Sequence, residues 1–216
     1  MTVRAVVFDV GETLVDETRP WSWWADRLGV PRLTFLAALG AIIGRDGHFR
    51  EVFELFRPGF DFHAELDAAV ADGYEPVTGA DLYPDAVACL QALHDAGYEV
   101  GVAANQPSTT EAVVHALGLP LALVASSETW GVAKPQGGFF ERIVTELGRP
   151  AEEIAYVGDR LDNDVRPAAA AGLKAVFVRR GPWGWIHAGR RRPREAALIV
   201  ETLAELPDAL GRLNAG

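Results

Sequence analysis

The chain has 216 residues, of which 49% are hydrophobic and 23% are charged. This length fits one domain with a substantial insertion or two small domains, and the apolar content supports a sizeable buried core rather than a disordered chain. The formal net charge of −10 disfavours non-specific binding to nucleic acid or to anionic membrane surfaces. We therefore expect a folded protein that binds neither.

Three further features concern location. No apolar run reaches the roughly 18 residues of a membrane span. The N-terminus enters a strand pattern directly, without a basic segment followed by a cleavable apolar stretch. Cys89 is the only cysteine, which excludes a disulfide within the chain. These features predict a soluble cytoplasmic protein. One basic cluster, interpreted as a solvated loop before the last helix, contains Arg190, Arg191, Arg192 and Arg194.

The first predicted element is the apolar run VVFDVGETLV at residues 6–15. Such a β-branched and aromatic run, bounded by glycine, is typical of a buried parallel strand. It delivers Asp9 into a turn at the strand's C-terminal end, where open α/β sheets bind their ligands. Taken alone the pattern also fits an aspartate that merely caps a turn. The rest of the chain decides between these interpretations.

Residues 16–80 differ in character from the first strand. Apolar residues recur there at helical spacing, and glycine and proline interrupt them at positions 29–31, 44, 58–59 and 73. This pattern predicts three or four short amphipathic helices without a strand. We interpret the segment as a helical insertion.

From Pro84 onward, strand and helix patterns alternate. The predicted strands cover residues 98–104, 121–125, 154–157 and 175–178, and the predicted helices cover 84–96, 108–117, 139–147, 164–171 and 196–213. The segment GPWGW at residues 181–185 reads as a rigid aromatic loop. With the first strand, this alternation predicts a doubly wound, Rossmann-like α/β core with a five-stranded parallel sheet. The core would comprise residues 1–15 and 81–216.

Polar residues follow the predicted strands in a definite order. Asp9 follows the first strand, Asn105 the second, Lys134 lies in a loop after the third, and an acidic turn at residues 158–164 follows the fourth. In these motifs the chain resembles the haloacid dehalogenase-like superfamily of hydrolases, most of which are phosphatases. The resemblance runs from Val3 to about Leu213 and includes a helical cap, here residues 16–80. Each motif alone is modestly specific, but the ordered set is strong.

The resemblance implies a Mg²⁺-dependent phosphatase that acts on a small phosphorylated molecule. Asp9 would be the nucleophile and form an aspartyl-phosphate, which divides one difficult step into two. Lys134 would neutralise the phosphate and the nucleophile, and Asn105 would hydrogen-bond the transferred phosphoryl group. The family pattern places Mg²⁺ on Asp9, the backbone carbonyl of Gly11, Asp159 and, close by, Asp164.

Two positions depart from the family pattern. Phosphatases of the family usually have a second aspartate two residues after the nucleophile, which protonates the leaving group and then activates water, and here that residue is Gly11. Ala104 replaces the usual serine or threonine before Asn105. General acid–base help is worth about 10² to 10⁴ in rate. The chain would then be a slow phosphatase for good leaving groups, or Glu12 or the cap residue Glu17 would supply the proton.

The sequence is also compatible with two other functions. The fold could bind a phosphorylated ligand without turnover, which Gly11 and Ala104 favour. A dehalogenase needs the aspartate nucleophile but no metal, and the acidic turn argues against it because clustered carboxylates repel one another. In the cap, Arg19 and Trp21 are candidates for substrate binding. The alternative for Arg19 is an ordinary surface position, and the alternative for Trp21 is packing of the cap. The sequence does not indicate an oligomeric state.

Overall fold

The computed structural model describes residues 2–190 and 193–216, so Arg191 and Arg192 of the basic cluster lie outside the described residues. The chain divides into two compact units, Met1–Asp16 with Leu82–Gly216, and Glu17–Asp81. The first unit contains the sheet and the second is helical. The function of the second unit as a cap stays a prediction.

The first unit is built on one parallel sheet. Its strands are β1 (Ala5–Phe8), β2 (Glu99–Ala104), β3 (Leu123–Ser126), β4 (Ile154–Gly158), β5 (Lys174–Val178) and β6 (Leu198–Val200). Their order is β3-β2-β1-β4-β5-β6, and each neighbouring pair is parallel. The sequence correctly predicts the doubly wound α/β class, but the described residues form six strands rather than five.

The sixth strand lies where the sequence predicted the start of the last helix. β6 is only three residues long and pairs with β5 at the sheet edge. So short an apolar segment, directly before a helix, merges with the helical pattern that follows it. The final helix therefore begins at Leu206 rather than near residue 196.

Helices connect the strands of the first unit. They are α5 (Ala86–Asp95), α6 (Thr109–His115), α7 (Ser127–Trp130), α8 (Gly137–Leu147), α9 (Arg166–Ala170), α10 (Gly181–Arg190) and α11 (Leu206–Ala215). A π-helical turn, Leu161–Val165, precedes α9. The prediction of a loop at residues 181–185 was wrong, because this segment begins α10. Pro182 is compatible with the helix because the first turn leaves backbone N–H groups unbonded anyway.

The sheet register explains why residues distant in sequence meet. Phe8 at the end of β1 pairs with Val102 of β2 on one side and with Val157 of β4 on the other. Because the strands are parallel, the segments that follow all three strands leave the sheet at the same edge. Below this edge, one face of the sheet packs against α8, where Phe139 and Phe140 belong to a buried hydrophobic cluster.

The second unit contains α1 (Thr18–Arg27), α2 (Arg32–Gly44), α3 (Glu51–Phe56) and α4 (Phe62–Ala71). Its core is an aromatic cluster around the buried Phe53, whose ring centroid lies 4.9 to 6.3 Å from those of five other rings. The five are Trp21, Trp24, Phe35, Phe60 and Phe62. Among the described residues no single helix is long and apolar enough to cross a membrane. The pair α1 and α2 is long and apolar enough when taken together, but the two helices are bent by 113° relative to each other.

Candidate active site

Asp9 leaves β1 into a tightly hydrogen-bonded turn. Its N–H donates to the carbonyl of Val157 on β4, at 2.9 Å. The carbonyl of Val10 accepts three backbone N–H groups at 2.9 to 3.2 Å, from Thr13, Leu14 and Val15. The backbone is therefore fixed on both sides of Asp9, so the carboxylate projects from a rigid base. We call residues 9–15 the nucleophile turn, after the function predicted for Asp9.

Lys134 lies between Asp9 and the acidic turn. Its ammonium nitrogen is 2.8 Å from Asp9 Oδ1 and 2.6 Å from Asp164 Oδ1. The Lys134 side chain is 0% exposed and that of Asp164 1%, whereas that of Asp9 is 10% exposed. Asp9 is thus the member of this trio that an incoming molecule can reach. Burial lowers the pKa of Lys134, but Asp164 and Asp9 raise it, and the resulting pKa lies well above the usual value.

Asn105 holds the backbone of Lys134. Its amide oxygen accepts the Lys134 N–H at 2.8 Å, and its amide nitrogen donates to the Lys134 carbonyl at 2.9 Å. Both polar groups of the side chain therefore bond the lysine loop, which continues through a cis peptide bond into Pro135. The predicted hydrogen bond from Asn105 to a phosphoryl group stays a prediction. The contacts present here orient Lys134 towards Asp9.

Asp159 and Asp164 approach Asp9 from the turn after β4. One carboxylate oxygen from each of the three residues lies within 4.8 Å of the others. Asp159 is buried, and its Oδ2 atom has no hydrogen-bond partner. Burial first, and then the charges of Asp164 and Asp9, raise the pKa of Asp159 well above its usual value. Burial also raises the pKa of Asp164, although Lys134 opposes this shift.

The charge balance of this cluster shows what it can bind. Three buried carboxylates share one ammonium group, and the nearby guanidinium of Arg160 is engaged by Asp162 at 2.8 Å. A buried carboxylate without a partner is costly unless a cation or donor compensates it. Closely spaced carboxylate oxygens are the ligands that Mg²⁺ prefers. The three carboxylates therefore fit a divalent cation, which would also give the unpartnered oxygen of Asp159 a partner.

Gly11 and Glu12 occupy the middle of the nucleophile turn. Metal binding by the Gly11 carbonyl stays a prediction. Glu12 has a left-handed backbone with φ 51°, and its Oε2 accepts a hydrogen bond from the Tyr83 hydroxyl at 2.6 Å. Burial first, and then the bond to Glu12, raise the pKa of Tyr83. The proposed transfer of a proton by Glu12 is untested, and the structure directs its carboxylate towards Tyr83.

Arg19 and Trp21 belong to the second unit and have partners there. Arg19 donates to both oxygens of Asp81, at 2.7 and 2.6 Å, and to the carbonyl of Glu75 at 2.9 Å. The Trp21 indole N–H donates to Glu17 at 3.2 Å, and its ring belongs to the aromatic cluster around Phe53. The substrate-binding functions predicted for Arg19 and Trp21, and the proton donation considered for Glu17, stay predictions.

Sequence reasoning missed Gly158, Tyr83 and Arg180. A Cβ at Gly158 would lie 2.4 to 2.5 Å from the side-chain atoms of Asp164. A glycine that ends a buried strand is a recognisable signal of such a close approach. Tyr83 lies close to Glu12 in space but 71 residues away in sequence, and no local pattern indicates this contact. Arg180 lies two residues after the end of β5, at the edge of the sheet where the site lies, but the sequence does not distinguish it from the neighbouring Arg179.

Replacing Gly158 with alanine tests this packing. The new methyl group would displace Asp164 from Lys134, so we expect Gly158→Ala to lower the free energy of unfolding by about 1–3 kcal/mol, as overpacking does. Gly137→Ala is the matched control, because a Cβ there meets only Glu141 Oε1 at 4.0 Å. Urea denaturation measures both variants. Equal stability of the two would show that Asp164 does not need the space above Gly158.

Comparisons with known proteins agree with this geometry. The model of the family described as haloacid dehalogenase-like hydrolase matches residues 3–172. The chain is 30% identical to the glyceraldehyde 3-phosphate phosphatase of Methanopyrus kandleri, covering 94% of this chain and 99% of that protein. The crystal structure of a HAD phosphatase from Thermococcus onnurineus is similar, with 25% identity, a TM-score of 0.61 and coverage of 97% and 98%.

A second solved structure shows similarity in fold alone. It is the L-2-haloacid dehalogenase of Xanthobacter autotrophicus with chloropropionic acid covalently bound, with 21% identity and a TM-score of 0.67. The alignment covers 97% of this chain and 99% of that one. The family match over residues 3–172 and the near full-length relative confirm the resemblance seen in the sequence motifs. The chain therefore belongs to the haloacid dehalogenase-like hydrolases, and it is a hydrolase.

Proposed function

We propose that this hydrolase is a Mg²⁺-dependent phosphatase of a small phosphomonoester and that Asp9 is its nucleophile. One observation carries the proposal: the buried Lys134 ammonium bridges Asp9 and Asp164, while Asp159 beside them has a carboxylate oxygen without a partner. A nucleophile, a cation and an unsatisfied carboxylate are the groups that phosphoryl transfer to an aspartate requires. The relative named as a glyceraldehyde 3-phosphate phosphatase supports the substrate class.

Asp9 and Lys134 divide the first step between them. Lys134 holds Asp9 Oδ1, which leaves Oδ2 to attack the phosphorus atom. The attack forms a bond between Asp9 and phosphorus and breaks the ester bond; the leaving oxygen keeps the electron pair of that bond and takes a proton from solvent water. Lys134 offers positive charge to the equatorial phosphoryl oxygens without moving, because Asp164 and Asn105 already fix its two ends. Such preorganised charge is the main source of catalysis in this chemistry.

The residues that would hold Mg²⁺ are Asp9, Asp159, Asp164 and the carbonyl of Gly11. When bound, the ion supplies a second positive charge that lets the anionic substrate approach the anionic nucleophile. The protein has already brought the three carboxylates together, and their mutual repulsion favours uptake of a cation. Asp159 is the clearest candidate ligand because its free oxygen gains a partner.

Gly11 limits the chemistry at both steps. A glycine cannot protonate the leaving oxygen, so substrates whose leaving group needs little protonation, such as aryl and acyl phosphates, should react fastest. It also cannot activate the water that cleaves the aspartyl-phosphate. Glu12 is one residue away, but its carboxylate accepts the Tyr83 hydroxyl. We therefore infer slow turnover in which the second step limits the rate.

A second candidate is a domain that binds a phosphorylated ligand without turnover, and Gly11 is the residue that favours it. A metal-free dehalogenase is the third, with support only from the shared fold. The unpartnered Asp159 argues against the dehalogenase, since metal-free carboxylates clustered at this distance repel one another. The next two experiments separate the three.

The activity test uses p-nitrophenyl phosphate, with Mg²⁺ or with EDTA, on the wild type and on Asp9→Asn. We expect hydrolysis in the wild type with Mg²⁺, and loss of about 10³-fold or more with EDTA or in the variant, because a nucleophile and its charge compensation act as a unit. Gly11→Asp should raise kcat, by up to about 10²-fold, as the missing acid–base group returns. Hydrolysis that persists in Asp9→Asn would contradict the proposal.

The metal test measures thermal unfolding with and without Mg²⁺. In the wild type, Mg²⁺ at 100 times its Kd should raise the free energy of unfolding by about 2.7 kcal/mol. Asp159→Asn should be at least as stable as the wild type without Mg²⁺, because repulsion in the cluster is relieved, and should lose most of the Mg²⁺ effect. Asp162→Asn, in the same turn but with a side chain 53% exposed, is the control that keeps it. An equal Mg²⁺ effect in both variants would exclude Asp159 as a ligand.

A further inference from the structure

Arg180 is a buried cation that the proposed chemistry does not use. It lies two residues after the end of β5, and its side chain is 10% exposed. Its guanidinium donates to the backbone carbonyl of Thr13 at 3.0 Å, inside the nucleophile turn. The same group lies 4.2 Å from the centroid of the Tyr83 ring, a cation–π contact. One arginine therefore touches the nucleophile turn and also the residue that bonds Glu12.

Asp85 fixes Arg180 in this position. Its two carboxylate oxygens accept from the guanidinium at 3.1 and 2.6 Å, a bidentate arrangement, and one of them also accepts the Leu203 N–H at 2.9 Å. Asp85 occupies the N-cap position of α5 but makes no capping bond there. A capping bond of this kind is typically worth about 1 kcal/mol. The carboxylate that would cap α5 instead holds Arg180.

Gly181 extends the contact to the neighbouring residue of the turn. A Cβ at Gly181 would lie 2.5 to 2.6 Å from side-chain atoms of Glu12, so only glycine allows this approach. Glu12 also accepts a hydrogen bond from the Tyr83 hydroxyl, at 2.6 Å. Glu12 has a positive φ, which for a residue other than glycine costs about 1 kcal/mol or more and persists only where the surroundings impose it. Arg180, Gly181 and Tyr83 together constrain Thr13 and Glu12.

Stability alone gives no strong reason for a buried ion pair at this place. Replacing such a pair with well-packed apolar side chains is often neutral or stabilising. An arginine aimed at a backbone carbonyl does, however, fix the path of the chain. The carbonyl it selects belongs to Thr13, four residues after the proposed nucleophile Asp9. An error of about 1 Å in the position of a reacting group can cost about 10²-fold in rate.

We propose that Arg180 is a positioning residue for Asp9, which acts by holding the nucleophile turn through the Thr13 carbonyl and through the Tyr83–Glu12 hydrogen bond. The proposal rests on the proposed function for its catalytic consequence, but its structural part is independent of activity. Lys134 holds the carboxylate of Asp9 from one side, and Arg180 holds the backbone of the same turn from another.

The experiment compares Arg180→Met with Arg179→Met. Arg179 precedes Arg180 in sequence, but it pairs with Glu201, and its side chain is 36% exposed. Two quantities are measured with p-nitrophenyl phosphate and Mg²⁺: kcat and KM. Amide hydrogen exchange is measured by mass spectrometry across the whole chain without substrate. For Arg180→Met we expect kcat/KM, which reports the attack by Asp9, to fall by about 10- to 100-fold, and kcat to fall less because the second step limits it.

The same variant should exchange the amides of residues 10–15 at least about tenfold faster, while peptides from β2 and β5 keep their wild-type rates. Arg179→Met should match the wild type in all of these measurements. Tyr83→Phe keeps the ring on Arg180 and removes only the hydroxyl that bonds Glu12. It should show the same changes on a smaller scale, because Arg180 still bonds the Thr13 carbonyl. If Arg180→Met does not fold, Arg180→Lys decides the question, because it keeps a cation beside Asp85 but lacks the guanidinium fork that bonds Asp85 and Thr13 together.

Three results distinguish the possible failures. Unchanged exchange in residues 10–15 of Arg180→Met, or of Arg180→Lys if Arg180→Met does not fold, would overturn the proposal. Faster exchange everywhere, in proportion to lost stability, would make Arg180 a general structural brace and would also overturn it. If the wild type lacks Mg²⁺-dependent hydrolysis, the proposed function fails, and selective exchange in residues 10–15 still shows whether Arg180 holds the turn.

Discussion

The buried ammonium group of Lys134 is the interaction on which the rest of the site depends. Without it, Asp9 and Asp164 would be two unpaired carboxylates buried close together. Burial of an unpaired charge costs several kcal/mol, which is comparable to the net free energy of unfolding of a whole domain. With it, an oxygen of Asp9 and an oxygen of Asp164 lie 2.8 and 2.6 Å from the Lys134 nitrogen, and of the three carboxylates Asp159 alone still needs a cation. Because one positive charge faces three carboxylates, the site favours binding of a second cation.

A few residues of the fold hold Lys134 and the carboxylates in position. The parallel register places the ends of β1, β2 and β4 side by side, which brings Asp9, Asn105 and Asp159 to one edge. Asn105 fixes the Lys134 backbone, and Gly158 leaves the space that Asp164 occupies. On another side of the nucleophile turn, Arg180 bonds the Thr13 carbonyl. The proposed catalytic group is therefore held through its backbone and through its side chain.

The sequence predicted the features that depend on local pattern. The alternating apolar runs located β1 to β5, and the order of Asp9, Asn105, Lys134 and Asp159 along them indicated the family. It failed for β6 and α10, because a three-residue edge strand and a helix that begins with Gly-Pro both lack the local pattern of their class. Contacts such as that between Arg180 and Thr13, 167 residues apart, have no signature in a single sequence. The fold was thus largely predictable, and the long-range contacts of Tyr83 and Arg180 that support the site were not.

Gly11 gives the most direct test of the proposed covalent route. If Asp9 is the nucleophile and no side chain activates water at position 11, phosphorylated Asp9 should accumulate during turnover. The measurement is acid quenching during hydrolysis of p-nitrophenyl phosphate with Mg²⁺, followed by digestion and mass spectrometry of the peptide that contains Asp9. We expect phosphate on Asp9 in a large share of the wild-type molecules and in a smaller share of the Gly11→Asp molecules. Sustained turnover with no phosphate on Asp9 at any time point would contradict it.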